Sequence, residues 1–155
     1  MSEPFAFDSL TPRMALPLLF AAQAQKEFFH NEALARIDAL LHAAIEGEEN
    51  CPPSEAVEGQ CWLVGSQPSG AWKGCSGSLA IRQSGQWLFA TPVDGMRIFD
   101  KGVGQFIVFS GTWQKPASIE EPSCGLYVDS EARAAIGALI TALRASGILP
   151  SAGRQ

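Results

Sequence analysis

Four tryptophans, Trp62, Trp72, Trp87 and Trp113, fall among short apolar runs of this sequence, and their chemistry needs an account first. A flat indole ring on a small β platform can stack on the apolar face of a sugar ring. The same ring at the head of a strand packs a small sheet well, and for any one tryptophan a place in the core is the heavier reading. Trp72, between Ala71 and Lys73 in a glycine-rich loop, is the best placed for exposure. Trp72, Lys73 and Trp113 are therefore the candidate carbohydrate contacts.

Other chemistry finds less support. Asp38 and His42 stand four apart and would share a helix face as an acid–base pair. No nucleophile has a defined place beside them, so a local surface contact is the better account. His30-Asn31-Glu32 reads as a helix cap, and Glu120 and Glu121 before Pro122 read as solvated. Gly102-Val103-Gly104-Gln105 lacks the third glycine and the following helix of a phosphate loop. The cysteines at 51, 61, 75 and 124 form no C-x-x-C pair, and His30 and His42 are the only histidines. They read as reduced thiols, buried as small apolar side chains, with a disulfide among Cys51, Cys61 and Cys75 as the alternative. No metal, no cofactor and no catalytic residue is expected.

The composition is that of a globular chain: 155 residues, 46% apolar and 17% charged. A net charge of −5 and a pI near 5.0, with no basic stripe, argue against nucleic acid as a partner. Met14 to Ala22, the longest apolar stretch, is too short to cross a bilayer and holds Pro17. Met1 to Asp8 carries no positive charge, so no signal peptide is expected and synthesis would be cytoplasmic.

The elements that must position these residues follow from pattern. Residues 1–17, with three prolines, read as an extended arm with Phe5, Phe7 and Leu10 as apolar handholds. Residues 18–50 read as an N-terminal helical segment, bent at Phe28-Phe29-His30. Its clearest helix is capped by Asn31, striped by Leu34, Ile37, Leu40, Leu41 and Ile45, and ended by Gly47. After Cys51-Pro52-Pro53, residues 57–116 turn to strands at 61–64, 79–82, 87–90, 96–99 and 105–109. Ser69-Gly70-Ala71-Trp72, Ser84-Gly85-Gln86-Trp87 and Ser110-Gly111-Thr112-Trp113 share one pattern, read as a repeated hairpin device because their spacings differ. Residues 129–147 read as a C-terminal helix capped by Asp129, with Ala132, Ile136, Leu139, Ile140 and Leu143 as its stripe and Gly147 as its stop. The expected fold is α+β: an antiparallel meander or partial barrel flanked by two amphipathic helices, all one compact unit.

Several of these segments carry a resemblance. Thr11-Pro12-Arg13-Met14, Ala22-Gln23-Ala24-Gln25-Lys26 and His30-Asn31-Glu32-Ala33-Leu34 resemble the opening of the family catalogued as domain of unknown function 2793. Gly59-Gln60-Cys61-Trp62-Leu63-Val64, Gly70-Ala71-Trp72, Gly85-Gln86-Trp87 and the 128–136 segment continue the likeness. The resemblance implies a component of a prophage or gene-transfer-agent particle, in a spike, fibre or tail-associated structure. It also gives Gln23, Gln25, Lys26, Asn31, Glu32 and Asp38 a reading as a docking or trimer contact, with satisfaction by Gln23 and Gln25 of the backbone groups of the bend at residues 28–30 weighing equally. Ile136, Ile140 and Leu143 join them as interface candidates. The expected role is a non-catalytic structural or adhesion protein, a homo-oligomer with three subunits favoured, partnered by other particle proteins. The competing readings are a module binding bacterial surface polysaccharide and, last, a polysaccharide hydrolase.

Overall fold

The computed structural model describes residues 9–20, 26–122 and 129–152. Its elements in order are helix α1 (Lys26–Leu40), strands β1 (Ala44–Ile45), β2 (Glu48–Glu49), β3 (Cys61–Val64), β4 (Leu79–Gln83), β5 (Gln86–Ala90), β6 (Arg97–Asp100), β7 (Gln105–Ser110) and β8 (Thr112–Gln114), and helix α2 (Ser130–Ala145). The class is α+β, and the described residues close no barrel. Contacts group the chain into two compact units where the composition suggests one: Met1–Ala43 with Glu48–Thr91, and Ala44–Gly47 with Pro92–Gln155.

The single meander expected is instead two four-stranded mixed sheets, ordered β2-β3-β4-β5 and β1-β6-β7-β8. In each, three strands form an antiparallel meander, and a two-residue strand joins its first member in parallel. Both short strands lie in the segment 18–50 read as helical, β1 in the tail of its clearest helix and β2 just past the Gly47 stop. Two residues carry too little pattern to be recognised before their partners are known.

The sheets are built alike down to single bonds. Gly59 N–H donates to the Arg82 carbonyl at 2.8 Å while Arg82 N–H donates to the Gln60 carbonyl at 2.9 Å, so two residues oppose one. In the other sheet Gly95, Phe109 and Met96 repeat this at 2.9 and 2.9 Å. Both bulge glycines sit at positive φ, 81° and 85°, where a side chain would be strained. The parallel strands repeat too: the Glu49 carbonyl accepts from Gly65 at 2.8 Å, and the Ile45 carbonyl from Lys101 at 3.0 Å. Two of the three Ser-Gly-x-Trp motifs close hairpins, β4–β5 across Ser84-Gly85 and β7–β8 across Gly111 alone, one residue shorter. An acidic residue ahead of each meander holds the tip: Glu58 accepts from Gly85 at 2.7 Å and also from Ser84, and Asp94 accepts from Gly111 at 2.8 Å. The third motif is a 3-10 turn at Gly70–Trp72.

In the first unit β3 is buried along its whole length, which explains its unbroken apolar run. Trp62, Val64, Trp72 and Ala80 form one core, with Trp87, Phe89, Cys75 and Ala56 packed against it. In the second unit Ile98 and Ile107, facing each other across β6 and β7, are fully buried, as is Ile45.

Helix α1 departs from expectation at both ends. It runs through Phe28-Phe29-His30 without a bend, so Asn31 lies inside it and cannot cap it. It stops at Leu40, before Gly47, because His42 takes the left-handed φ of 51°. The orphan carbonyls of a helix end need donors. Arg13 supplies them: Nη1 reaches the Asp38 and Ala39 carbonyls at 2.7 Å each, and Nη2 the His42 carbonyl at 3.0 Å. Nor is α1 amphipathic in the expected sense. Its buried residues are Ala35, Asp38 and Ala39, while Phe28 and Phe29 face solvent. Residues 9–18 fold back on themselves, with Thr11 N–H on the Leu16 carbonyl and Leu18 N–H on the Ser9 carbonyl, both at 3.0 Å. This replaces the extended arm, whose Phe5 and Phe7 lie outside the described residues.

Helix α2 follows the sequence closely. The Asp129 side chain accepts from Ala132 N–H at 2.9 Å, capping the first turn. Gly147 N–H and Ile148 N–H return to the Arg144 and Leu143 carbonyls at 3.1 and 2.9 Å, closing the last turn with Gly147 at φ 71°. Phe106 N–H then donates to the Gly147 carbonyl at 2.6 Å, fixing this cap to β7.

Candidate functional site: a tryptophan cluster beside a groove

The first unit gathers three tryptophans. Ring centroids lie 5.0 Å apart for Trp72 and Trp87, 5.7 Å for Trp62 and Trp87, and 6.5 Å for Trp62 and Trp72. The two closer pairs meet edge to face, the arrangement the ring quadrupoles favour. Trp72, expected exposed, is 0% exposed, because its 3-10 turn swings the ring under the sheet instead of out of the loop. Its Nε1 is buried and meets no acceptor among the described residues. Lys73, the next residue, is exposed, so the two do not form one surface. Trp113 is partly buried in the second sheet, edge to face with Phe109 at 5.2 Å. The carbohydrate contacts expected at Trp72, Lys73 and Trp113 are thus not assembled within either unit.

Trp87 is the cluster's only member that reaches the surface. It is partly buried, with the Arg82 guanidinium 5.4 Å above its ring. Beside it, a groove of about 600 Å³ opens between the β4–β5 hairpin and the first half of α1, lined in part by Glu27, Phe28, Glu32, Gln86, Trp87 and Leu88. Arg36 straps the walls together. Its Nη1 donates to the Phe89 carbonyl at 3.0 Å, and its Nη2 pairs with Glu32 at 2.8 Å.

The interface candidates divide. Gln23 and Gln25 lie outside the described residues. Lys26 and Glu32 are exposed on α1. Asn31 uses its amide to hold the backbone of Leu19 in both directions, accepting from N–H at 2.9 Å and donating to C=O at 3.0 Å. On α2, Ile140 is buried and Leu143 partly so, but Ile136 remains 43% and Leu139 59% exposed.

Sequence reasoning missed the largest exposed apolar groups. Phe28 and Phe29 are 77% and 76% exposed, Ile37 follows on α1 at 51%, and Leu41, just past the helix end, is 46% exposed. Residues 29, 33, 37 and 41 recur at four, so they form one ridge along the helix. The signal was present in the two adjacent phenylalanines, which a bend was invoked to explain.

Asp38 and His42 do not pair. Asp38 turns inward, 1% exposed, accepting from Thr11 Oγ1 at 2.7 Å, Met14 N–H at 2.6 Å and Arg13 N–H at 3.1 Å. His42 is exposed beyond the helix end. Cys61 is buried and Cys75 partly so, whereas Cys51 is exposed against expectation. Among the described residues no helix is long and apolar enough to cross a membrane.

No curated protein matches this sequence. A family model described as "Protein of unknown function (DUF2793)" matches residues 30–114, more than half of the chain and the stretch that holds both meanders and most of α1. The chain belongs to that family.

Proposed function

We propose that this protein is a non-catalytic structural or adhesion component of a phage-derived particle and works as a homo-oligomer, with three copies favoured. One observation carries the reading: the ridge of Phe29, Ala33 and Ile37 on α1, extended by Leu41 just past its end and with Phe28 beside it, stands in solvent while the opposite face is bound to its own unit. Exposed apolar ground of this kind marks surfaces that another chain covers. The exposed Ile136 and Leu139 of α2 are a second such face. The particle assignment draws on the sequence likeness to prophage and gene-transfer-agent proteins.

The particle role is tested in the source cells after induction of particle release. The chain should band with particles in a density gradient and stay with them after a salt wash. Recovery only from the particle-free fraction would overturn it.

A further inference from the structure

Helix α1 stops where its own sequence supplies no stop. From Leu34 to Glu46 the chain holds neither glycine nor proline, and Leu41, Ala43, Ala44 and Glu46 are good helix formers. The apolar stripe through Leu34, Ile37 and Leu41 runs on to Ile45, and Gly47 is the first residue suited to end it. The helix nonetheless closes at Leu40, and His42 takes a φ of 51°, a left-handed conformation that costs any residue with a side chain.

The stop comes from outside the helix. Continuation would use the Asp38, Ala39, Leu41 and His42 carbonyls as acceptors for the N–H groups four residues on. Arg13 occupies all four. Its Nη1 reaches the first three at 2.7, 2.7 and 3.5 Å, and its Nη2 the last at 3.0 Å. The last turn of α1 carries no basic residue of its own, so Arg13 also brings the cation that the helix C-terminus favours.

The residues that would have continued the helix are used differently. Ala44-Ile45 is a two-residue strand on β6, and Ile45 is fully buried. The Lys101 N–H donates to the Ile45 carbonyl at 3.0 Å, and Glu46 pairs with the Lys101 ammonium at 2.6 Å. These contacts hold the short form. Against them stand the left-handed φ of His42 and a ridge at 29, 33, 37 and 41 whose next place, four residues on, is Ile45.

We propose that Arg13 is a latch that keeps α1 short, and that its release lets the helix extend through residues 41–46, by about 9 Å, carrying Ile45 from β1 onto the exposed ridge. A second copy packing on that ridge gains Ile45 only in the long form, so association and opening of the latch favour each other. This use of the extension rests on the homo-oligomer reading; the extension itself does not.

The test follows the full chain by NMR, with the Cα shifts of residues 42–46 reporting helix and the exchange of the Lys101 amide reporting β1. Arg13→Gln should move those shifts toward helical values and speed Lys101 exchange about tenfold or more. His42→Ala keeps the main-chain acceptor of the latch, favours helix and should act in the same direction. His42→Gly accepts the left-handed φ at no steric cost and should act in the opposite direction, slowing Lys101 exchange below wild type. Should Arg13→Gln unfold the chain, the pair at His42 still decides. Shifts that turn to coil values in a folded chain, or Ala and Gly variants that change Lys101 exchange alike, would overturn the proposal. A chain that extends in these variants yet stays a single copy in solution contradicts the homo-oligomer reading alone.

Discussion

Arg13 donates to Asp38 twice, once from its main chain and once from its side chain. The Arg13 main-chain N–H donates to the Asp38 carboxylate at 3.1 Å, and the Arg13 guanidinium donates to the Asp38 carbonyl at 2.7 Å. One pair thus pins residues 9–18 to α1 and terminates that helix. Asp38→Ala leaves the Thr11 hydroxyl and two main-chain N–H groups without their acceptor, and should lower stability by about 3 kcal/mol. Urea unfolding reads the loss, and limited proteolysis should find new cleavage between residues 9 and 18. Arg13→Ala should cost about 1–2 kcal/mol through the uncapped carbonyls.

Trp72 is a core residue. Trp72→Ala should destabilise by about 3–5 kcal/mol, the range for a large aromatic lost from a packed interior. Thermal unfolding measures it. Trp72→Phe should cost much less, because it keeps an aromatic ring in the cluster and removes an Nε1 that has no described acceptor.

The hairpin tips test the likeness of the two sheets. Ser84 and Gly85 both adopt positive φ, 51° and 74°, and Gly111 adopts 67°. Gly85→Val and Gly111→Val should each destabilise by about 1–2 kcal/mol, since a β-branched residue is strained there. Asp94→Ala should cost about 1 kcal/mol for the acceptor lost. By denaturant midpoint Glu58→Ala should cost more than Asp94→Ala, since Glu58 accepts from two main-chain N–H groups and Asp94 from one.

Much of the fold was legible because it rests on local signals. Asp129, Arg144 and Gly147 mark α2 by cap chemistry that needs no tertiary partner. The strands at 61–64, 79–83, 86–90, 97–100 and 105–110 announce themselves by apolar and aromatic runs between glycines. What failed was non-local. Glu48-Glu49 is a strand only because β3 lies beside it, and Ala44-Ile45 only because of β6. The end of α1 is set by Arg13, more than twenty residues upstream. Trp72 looked exposed from its glycine neighbours, yet those glycines are what let the chain fold the ring inward. Trp87 and the groove depend on register and on Arg36 meeting Phe89 across 53 positions. No local pattern carries that.

The solution mass of the full chain, measured by light scattering over a wide concentration range, tests the central claim most directly. Wild type should weigh a small multiple of its 16.5 kDa, with three copies favoured. Phe28→Asp with Phe29→Asp should fall to one copy with unfolding stability changed by no more than about 0.5 kcal/mol, because both rings are exposed. A wild-type chain that remains a single copy at the highest concentration, or a double variant with unchanged mass, would contradict the account.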